Sequence, residues 1–257
     1  MNANLNANFT NSNFSGDFAG WPPEATVFPI AGVDLRILPG PHPLVVAEET
    51  AIRENWARET AANPALFDGR MVFQRLVSLS EDGIAGEGHV IPFSAFMWWR
   101  RQPRRQGGLH LFAYPVLETS DGALVAIRMG AHTANPGQVY FAAGSLEPED
   151  VVDGRCDIEA NMRREVQEET GLDLAESVAG RGLFATRNKR TVTLLRLYRF
   201  EMTADEMIAR IESHMLVAED QEIAGAVAIR SADPSAHPYN IAMLPVIDWY
   251  IGKAERS

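Results

Sequence analysis

The second half of the chain, from Leu109 onward, is dominated by short apolar segments of strand length with few helical segments between them. Strands separated by so few helices indicate a mixed α+β domain. Asp121 and Gly122 stand between the first two segments, where this pair favours a tight hairpin turn. The strands predicted in this half are 109–117, 123–129, 139–142, 182–187, 191–201 and 222–229.

Helices in the same half are predicted from their terminal signals. Asp157 is suited to cap a helix start, and Gly171 stands where a left-handed residue ends a helix. Thr203 with Glu206 three residues later matches a capping box. The predicted helices are 157–170, a short helix opened by Thr203, and a closing helix at 244–251.

The first half of the chain has a less regular pattern with Pro-rich connections. Six Asn among the first thirteen residues predict a disordered polar tail over 1–18. A smaller β-containing α+β region is predicted at 19–105, ahead of a domain at 106–257. Trp98 and Trp99 end an apolar stretch, and we expect them to pack in the core or between domains. The elements predicted here are strands at 33–38, 71–79 and 88–93, a helix at 45–62, and a connection at 100–108.

Composition excludes some classes of function. The chain has 34 acidic and 23 basic side chains, and this net charge of −11 argues against a general DNA-binding protein. A phosphate-bearing small molecule remains compatible if a bound cation reverses the local charge. Because Cys156 is the one cysteine, no intramolecular disulfide or Cys-rich zinc site can form, which fits a reducing cytoplasm. The most apolar stretch, 91–99, is too short to span a bilayer, so we expect no membrane partner.

The most informative segment is the acidic stretch from Arg164 to Leu172. On a helix, Glu165, Glu168 and Glu169 fall on one face within about one turn. Clustered carboxylate oxygens suit a hard divalent cation such as Mg²⁺. The alternative is a solvated acidic face whose arginines form surface ion pairs.

This segment resembles the second half of the Nudix box, Arg-Glu-hydrophobic-x-Glu-Glu-x-Gly-hydrophobic, at every specified position. The first half of the box departs from the pattern. Gly144 is the best match to its glycine, and Asp150 stands where the family has Glu. Thirteen residues separate Asp150 from Arg164 where the pattern has seven, so we infer an insertion around 153–157.

The resemblance implies a Nudix-type sandwich of mixed β-sheet and helices that hydrolyses a nucleoside diphosphate linked to another group. The substrate would be of the nucleotide-sugar, ADP-ribose or CoA type. By the same resemblance, Arg164 would orient a carboxylate, and either Glu222 or Glu165 would act as general base. Glu222 is preferred among the acidic residues before the last strand, which also include Glu219 and Asp220. The implied ligands of Mg²⁺, for which Mn²⁺ often substitutes, are Glu165, Glu168, Glu169 and the backbone carbonyl near Gly144.

Substrate contacts are less constrained by the sequence. Arg128 belongs to a partial match to a longer motif of coenzyme A diphosphatases in the same family. Arg187 and Lys189 lie at a turn between two strands, where they either attract phosphate or are simply solvated. The family analogy also suggests a homodimer. Because the first half of the box is altered, a Nudix-like sensor or partner module that binds a nucleotide without cleaving it stays open as an alternative.

Overall fold

Two mixed β-sheets and six α-helices make up the described part of this computed structural model, residues 18–218 and 222–254. This architecture confirms the α+β fold class. The strands are β1 Phe28–Ile30, β2 Val33–Ile37, β3 Arg70–Ser80, β4 Gly83–Pro92, β5 His110–Glu118, β6 Leu124–Met129, β7 Val139–Tyr140, β8 Val151–Val152, β9 Arg155–Cys156, β10 Val178–Ala179, β11 Leu183–Asn188, β12 Thr191–Arg199 and β13 Ile223–Ile229. The helices are α1 Pro43–Ala47, α2 Glu49–Ala62, α3 Phe93–Arg101, α4 Ile158–Thr170, α5 Ala204–Met215 and α6 Leu244–Ala254.

The larger sheet runs in the order β1-β11-β12-β5-β6-β13, with β7 paired to β6 and β10 paired to β12. Its centre is the parallel pair β5 and β12, in which His110 is aligned with Thr191. Helix α4 packs against β5 through a buried apolar stripe of Ile158, Met162 and Val166. Because this stripe lies at helical spacing, the opposite face of α4 is free to carry charged side chains.

The smaller sheet has the order β3-β4-β2-β9-β8 and combines segments distant in sequence. Strands β8 and β9 occupy the region of the expected insertion and form a hairpin just before α4. Arg155 of this hairpin is aligned with Arg36 of β2 and forms an ion pair with Asp34. Strand β1, which belongs to the first half of the chain, pairs with β11 of the larger sheet. Strand pairing thus crosses the predicted boundary at 105/106 in both directions, and the division into two domains stays a prediction.

Two predictions for the first half of the chain were wrong in detail. The helix expected at 45–62 is two helices, α1 and α2, because Glu48 between them has a non-helical backbone (φ −114°, ψ 17°). The connection expected from residue 100 begins later, because α3 continues to Arg101.

Trp99 of α3 is buried, as expected, and its indole N–H donates to the Arg105 carbonyl at 2.9 Å. None of the helices in the described residues combines the length and apolar character needed to cross a membrane.

Candidate active site

A cavity of about 1300 Å³ is lined by residues of α4, of α3 and of the segment after α3. It brings together nearly all of the site residues expected from the sequence. Those that line it are Gly144, Arg164, Glu165, Glu168, Glu169, Arg187, Lys189 and Glu222. Residues that are far apart in the sequence therefore line the same cavity.

Local signals at both ends fix the helix that carries the glutamates. The Asp157 carboxylate accepts the Ala160 N–H at 2.9 Å, which caps the first turn of α4. At the other end Gly171 adopts a left-handed conformation (φ 67°) and its N–H donates to the Gln167 carbonyl. The position of the acidic face is thus set by the helix ends together with its apolar stripe.

Glu165 lies buried against the backbone of Gly144. A β-carbon at Gly144 would be 2.5 Å from both carboxylate oxygens of Glu165, so this close approach requires glycine. The Arg164 guanidinium forms an ion pair with Glu165, with 2.9 Å between Nη2 and Oε1. Burial raises the pKa of Glu165 to about 8 despite the opposing effect of Arg164.

Glu169 lies one turn further along α4 and has an unsatisfied oxygen. Its carboxylate accepts the Ala143 N–H, but its buried Oε2 has no hydrogen-bond partner among the described residues. Burial, together with the charges of Glu165 and Glu222, raises the pKa of Glu169 well above its usual value. Either a proton or a bound cation would offset the negative charge gathered around this buried oxygen.

Arg164 connects the loop before α4 to the acidic face. Its Nη2 donates to Asp150 Oδ2 at 3.0 Å, and its Nη1 donates to Glu168 Oε2 at 3.0 Å. Asp150 also accepts the Asn161 side-chain N–H at 2.9 Å and the Glu147 backbone N–H at 2.8 Å. Asp150 thus ties the loop before α4 to the helix. The short 3₁₀ turn Pro148–Asp150 brings the shorter side chain within reach.

The glutamates fit a hard divalent cation in donor chemistry and charge. Glu169 offers an unsatisfied oxygen, Glu165 is buried beside it, and Glu168 is exposed on the same face. In the side-chain arrangement of residues 18–218 and 222–254, no three His, Cys, Asp or Glu side chains form a closed group of metal ligands. Glu165 and Glu168 are instead both paired with Arg164, so a bound cation would compete with this guanidinium for their carboxylates.

Glu222 lies at the edge of the same cluster, directly before β13. Its carbonyl accepts the Gly130 N–H at 2.7 Å, which fixes this end of the strand beside the end of β6. Its side chain is exposed, and its charge acts on both Glu169 and Tyr140. The other acidic residues weighed from the sequence, Glu219 and Asp220, lie outside the described residues.

The three predicted substrate-binding residues are placed differently. Arg187 and Lys189 line the cavity, but the Arg187 guanidinium is also engaged by Glu24 at 3.0 Å and by the Phe18 ring at 4.7 Å. Phe18, the last residue of the expected tail, is thus packed in place. Arg128 departs from the prediction, because it is not among the residues that line the cavity. Side chains alternate along a strand, and it is the adjacent Met129 that faces the cavity.

The cavity is also lined by residues that the sequence did not single out for function. Phe96, Trp99 and Arg100 project from α3, Arg105 follows in the next segment, and His110 begins β5. The Phe96 and His110 rings are 4.5 Å apart, and Arg100 lies over Phe96 at 5.9 Å. The available signal was the run of apolar and basic residues at 93–101, whose helical spacing places Phe96, Trp99 and Arg100 on one face.

No protein-family model and no curated protein sequence matches this chain. Among solved structures, a Deinococcus radiodurans protein aligns with TM-score 0.45 and 14% identity, over 70% of this chain and 98% of that chain. A C. elegans Ap4A hydrolase aligns with TM-score 0.41 and 10% identity, over 57% and 99% of the two chains. The NUDIX domain of Shewanella oneidensis NrtR, solved with ADP ribose, gives TM-score 0.38 and 15% identity, over 61% and 94%. The function proposed below therefore rests on this chain's own residues.

Proposed function

We propose that this chain is a Nudix-type pyrophosphohydrolase that requires Mg²⁺, or Mn²⁺ in its place. Its substrate is a nucleoside diphosphate linked to another group, of the nucleotide-sugar, ADP-ribose or CoA type. The observation that carries the proposal is that Glu165, Glu168 and Glu169 line one cavity with Glu222, where Glu169 has a buried oxygen without a partner. The second half of the Nudix box supplies three of these four residues.

Each residue has a role that follows from its contacts. Glu169, Glu165 and Glu168, with the Gly144 carbonyl, would hold the metal ion. When bound, the ion neutralises charge that develops on phosphate oxygens and lowers the pKa of bound water. Arg164, hydrogen-bonded to Asp150, orients Glu165 and Glu168 toward the cavity.

We assign the general base to Glu222. It is exposed to the cavity and has no ion pair among the described residues, whereas Glu165 is buried and ion-paired with Arg164. Glu222 accepts a proton from a water whose oxygen forms a new bond to phosphorus. The bridging P–O bond breaks in the same displacement, so the products are two phosphate monoesters and no covalent enzyme intermediate forms.

The test is incubation of the purified protein with Mg²⁺ and a panel of nucleotide sugars, dinucleoside polyphosphates, ADP-ribose and CoA, in water enriched in oxygen-18. We expect one substrate class to be cleaved, with the label in one of the two phosphate products. A double variant, Glu168→Gln with Glu169→Gln, should remain folded and lose turnover. Turnover that is unchanged in this variant, or absent with every compound, would contradict the proposal.

A further inference from the structure

Two arginines on the α3 side of the cavity have no carboxylate in direct contact among the described residues. Arg100 Nη2 donates to the Asn135 side-chain oxygen at 3.0 Å, and Arg105 Nε donates to the Arg100 carbonyl at 3.1 Å. Within the part of the chain that the structure describes, neither guanidinium forms an ion pair with a carboxylate. Their neighbour Arg101 behaves differently, because it is paired with Glu59 outside the cavity.

The two guanidinium groups are close enough to repel each other. Burial and the charges of Arg105 and Arg101 lower the pKa of Arg100. His110 lies beside them, and burial together with the charges of Arg100 and Arg105 lowers its pKa to about 3. Its buried Nε2 has no hydrogen-bond partner among the described residues. The charge of Glu59 also acts on Arg100, but Glu59 is already paired with Arg101. Like charges gathered in a partly buried wall are unfavourable, so an anion in the cavity would relieve their repulsion.

Tyr140 lines the same cavity and lies within electrostatic reach of both this basic wall and the acidic cluster. Burial raises the pKa of the Tyr140 hydroxyl, and the charges of Glu169 and Glu222 raise it further, whereas Arg100 lowers it. Tyr140 is also hydrogen-bonded to Asn135, the residue that holds Arg100. The cavity is therefore negative on the α4 side and positive on the α3 side, which suits a ligand whose phosphoryl groups bridge from a bound cation to arginines.

We propose that Arg100 and Arg105 form a phosphate subsite that binds the phosphoryl group of the substrate remote from Glu169. The region before the Nudix-like segment thus supplies part of the active site. Arg100 makes the direct contact, and Arg105 adds positive charge behind it. This inference rests on the proposed function for the identity of the ligand as a diphosphate.

The experiment measures binding of methylenediphosphonate, a diphosphate mimic that is not hydrolysed and carries no base, to the full chain in the presence of Mg²⁺. We expect Arg100→Gln to raise its Kd by about tenfold or more, because it removes a charge-assisted hydrogen bond. Arg100→Lys should weaken binding less, and Arg105→Gln should also weaken it. Arg104→Gln is the matched control, because Arg104 is exposed and does not line the cavity.

Mn²⁺ binding without ligand is measured on each variant as a check on the acidic side of the cavity, and we expect it to be unchanged. If Arg100→Gln does not fold, Arg105→Gln decides the question. Unchanged Kd in the folded arginine variants, a loss of equal size in Arg104→Gln, or no binding to the wild-type protein would each overturn the subsite. Binding that depends on Arg100 without hydrolysis of any panel compound would overturn the proposed function and leave the subsite standing.

Discussion

Replacement of Asp150 by Asn tests whether the loop before α4 is tied to the acidic helix as described. The Asp150 carboxylate is buried and accepts four hydrogen bonds, two from Arg164, one from Asn161 and one from the Glu147 backbone. Asparagine would turn an N–H₂ group toward donors that now contact a carboxylate oxygen. Removing one partner of a buried ion pair costs about 3–5 kcal/mol of unfolding free energy.

The cost in this protein should be lower, because Arg164 keeps Glu165 at 2.9 Å and Glu168 at 3.0 Å as partners. We therefore expect Asp150→Asn to lose about 2–3 kcal/mol. For a chain of this size that loss corresponds to a fall in Tm of about 4–12 °C, measured by calorimetry. Turnover should also fall, since Arg164 loses its fixed position.

Asp34→Asn is the matched control for this measurement. It also removes an Asp–Arg ion pair, but the Asp34 and Arg155 side chains are 40% and 55% exposed. We expect a cost below about 1 kcal/mol for such an exposed pair. An Asp150→Asn variant within about 0.5 kcal/mol of wild type, or a control that loses as much, would refute the tether described for Asp150.

Three further predictions concern separate parts of the molecule. Gly144→Ala should lower Mn²⁺ affinity by about tenfold or more with little change in overall fold, because the added carbon meets Glu165. Paramagnetic resonance measures this affinity, and an unchanged value would contradict the contact between Gly144 and Glu165. Glu222→Gln should lower kcat by about 10²–10⁴-fold with Mn²⁺ affinity nearly unchanged. Full kcat in this variant would show that Glu222 is not the general base and would favour Glu165 instead. Burial, with the charges of His89 and Arg75, lowers the pKa of His42 to about 4, so the unfolded chain takes up a proton before the folded chain does. Stability should therefore fall as pH falls from about 6.5 toward 4, by about 2 kcal/mol at pH 5, as measured by urea unfolding. His42→Asn, which can still cap α1, should reduce this dependence, and an equal dependence in the variant would count against His42 as its source.

Features set by neighbours in sequence were predictable. The ends of α4 follow from Asp157 and Gly171, and the capping box of Thr203 and Glu206 opens α5 as expected. The β5–β6 hairpin likewise follows from its Asp-Gly turn, where Gly122 has φ 78°. Each of these signals acts over a few residues, so the chain outside the segment has little influence on it.

Features that depend on distant pairing were not predictable from the pattern. An insertion was expected near residue 153, but its pairing with β2 depends on a residue more than a hundred positions away. The acidic half of the cavity was found because one helix carries it. The basic half was missed because Arg100 and Arg105 join the acidic residues only in the folded chain, where both groups line one cavity.

In the function proposed above, the acidic face of α4 holds a divalent ion in this cavity. The most direct measurement is a Mn²⁺ titration followed by paramagnetic resonance, on the wild-type protein, on Glu169→Gln, and on Glu212→Gln as an exposed acidic control from α5. We predict saturable binding to wild type and control, and a loss of about tenfold or more in affinity in folded Glu169→Gln. Equal Mn²⁺ affinity in all three proteins, or no saturable binding to the wild type, would contradict the claim.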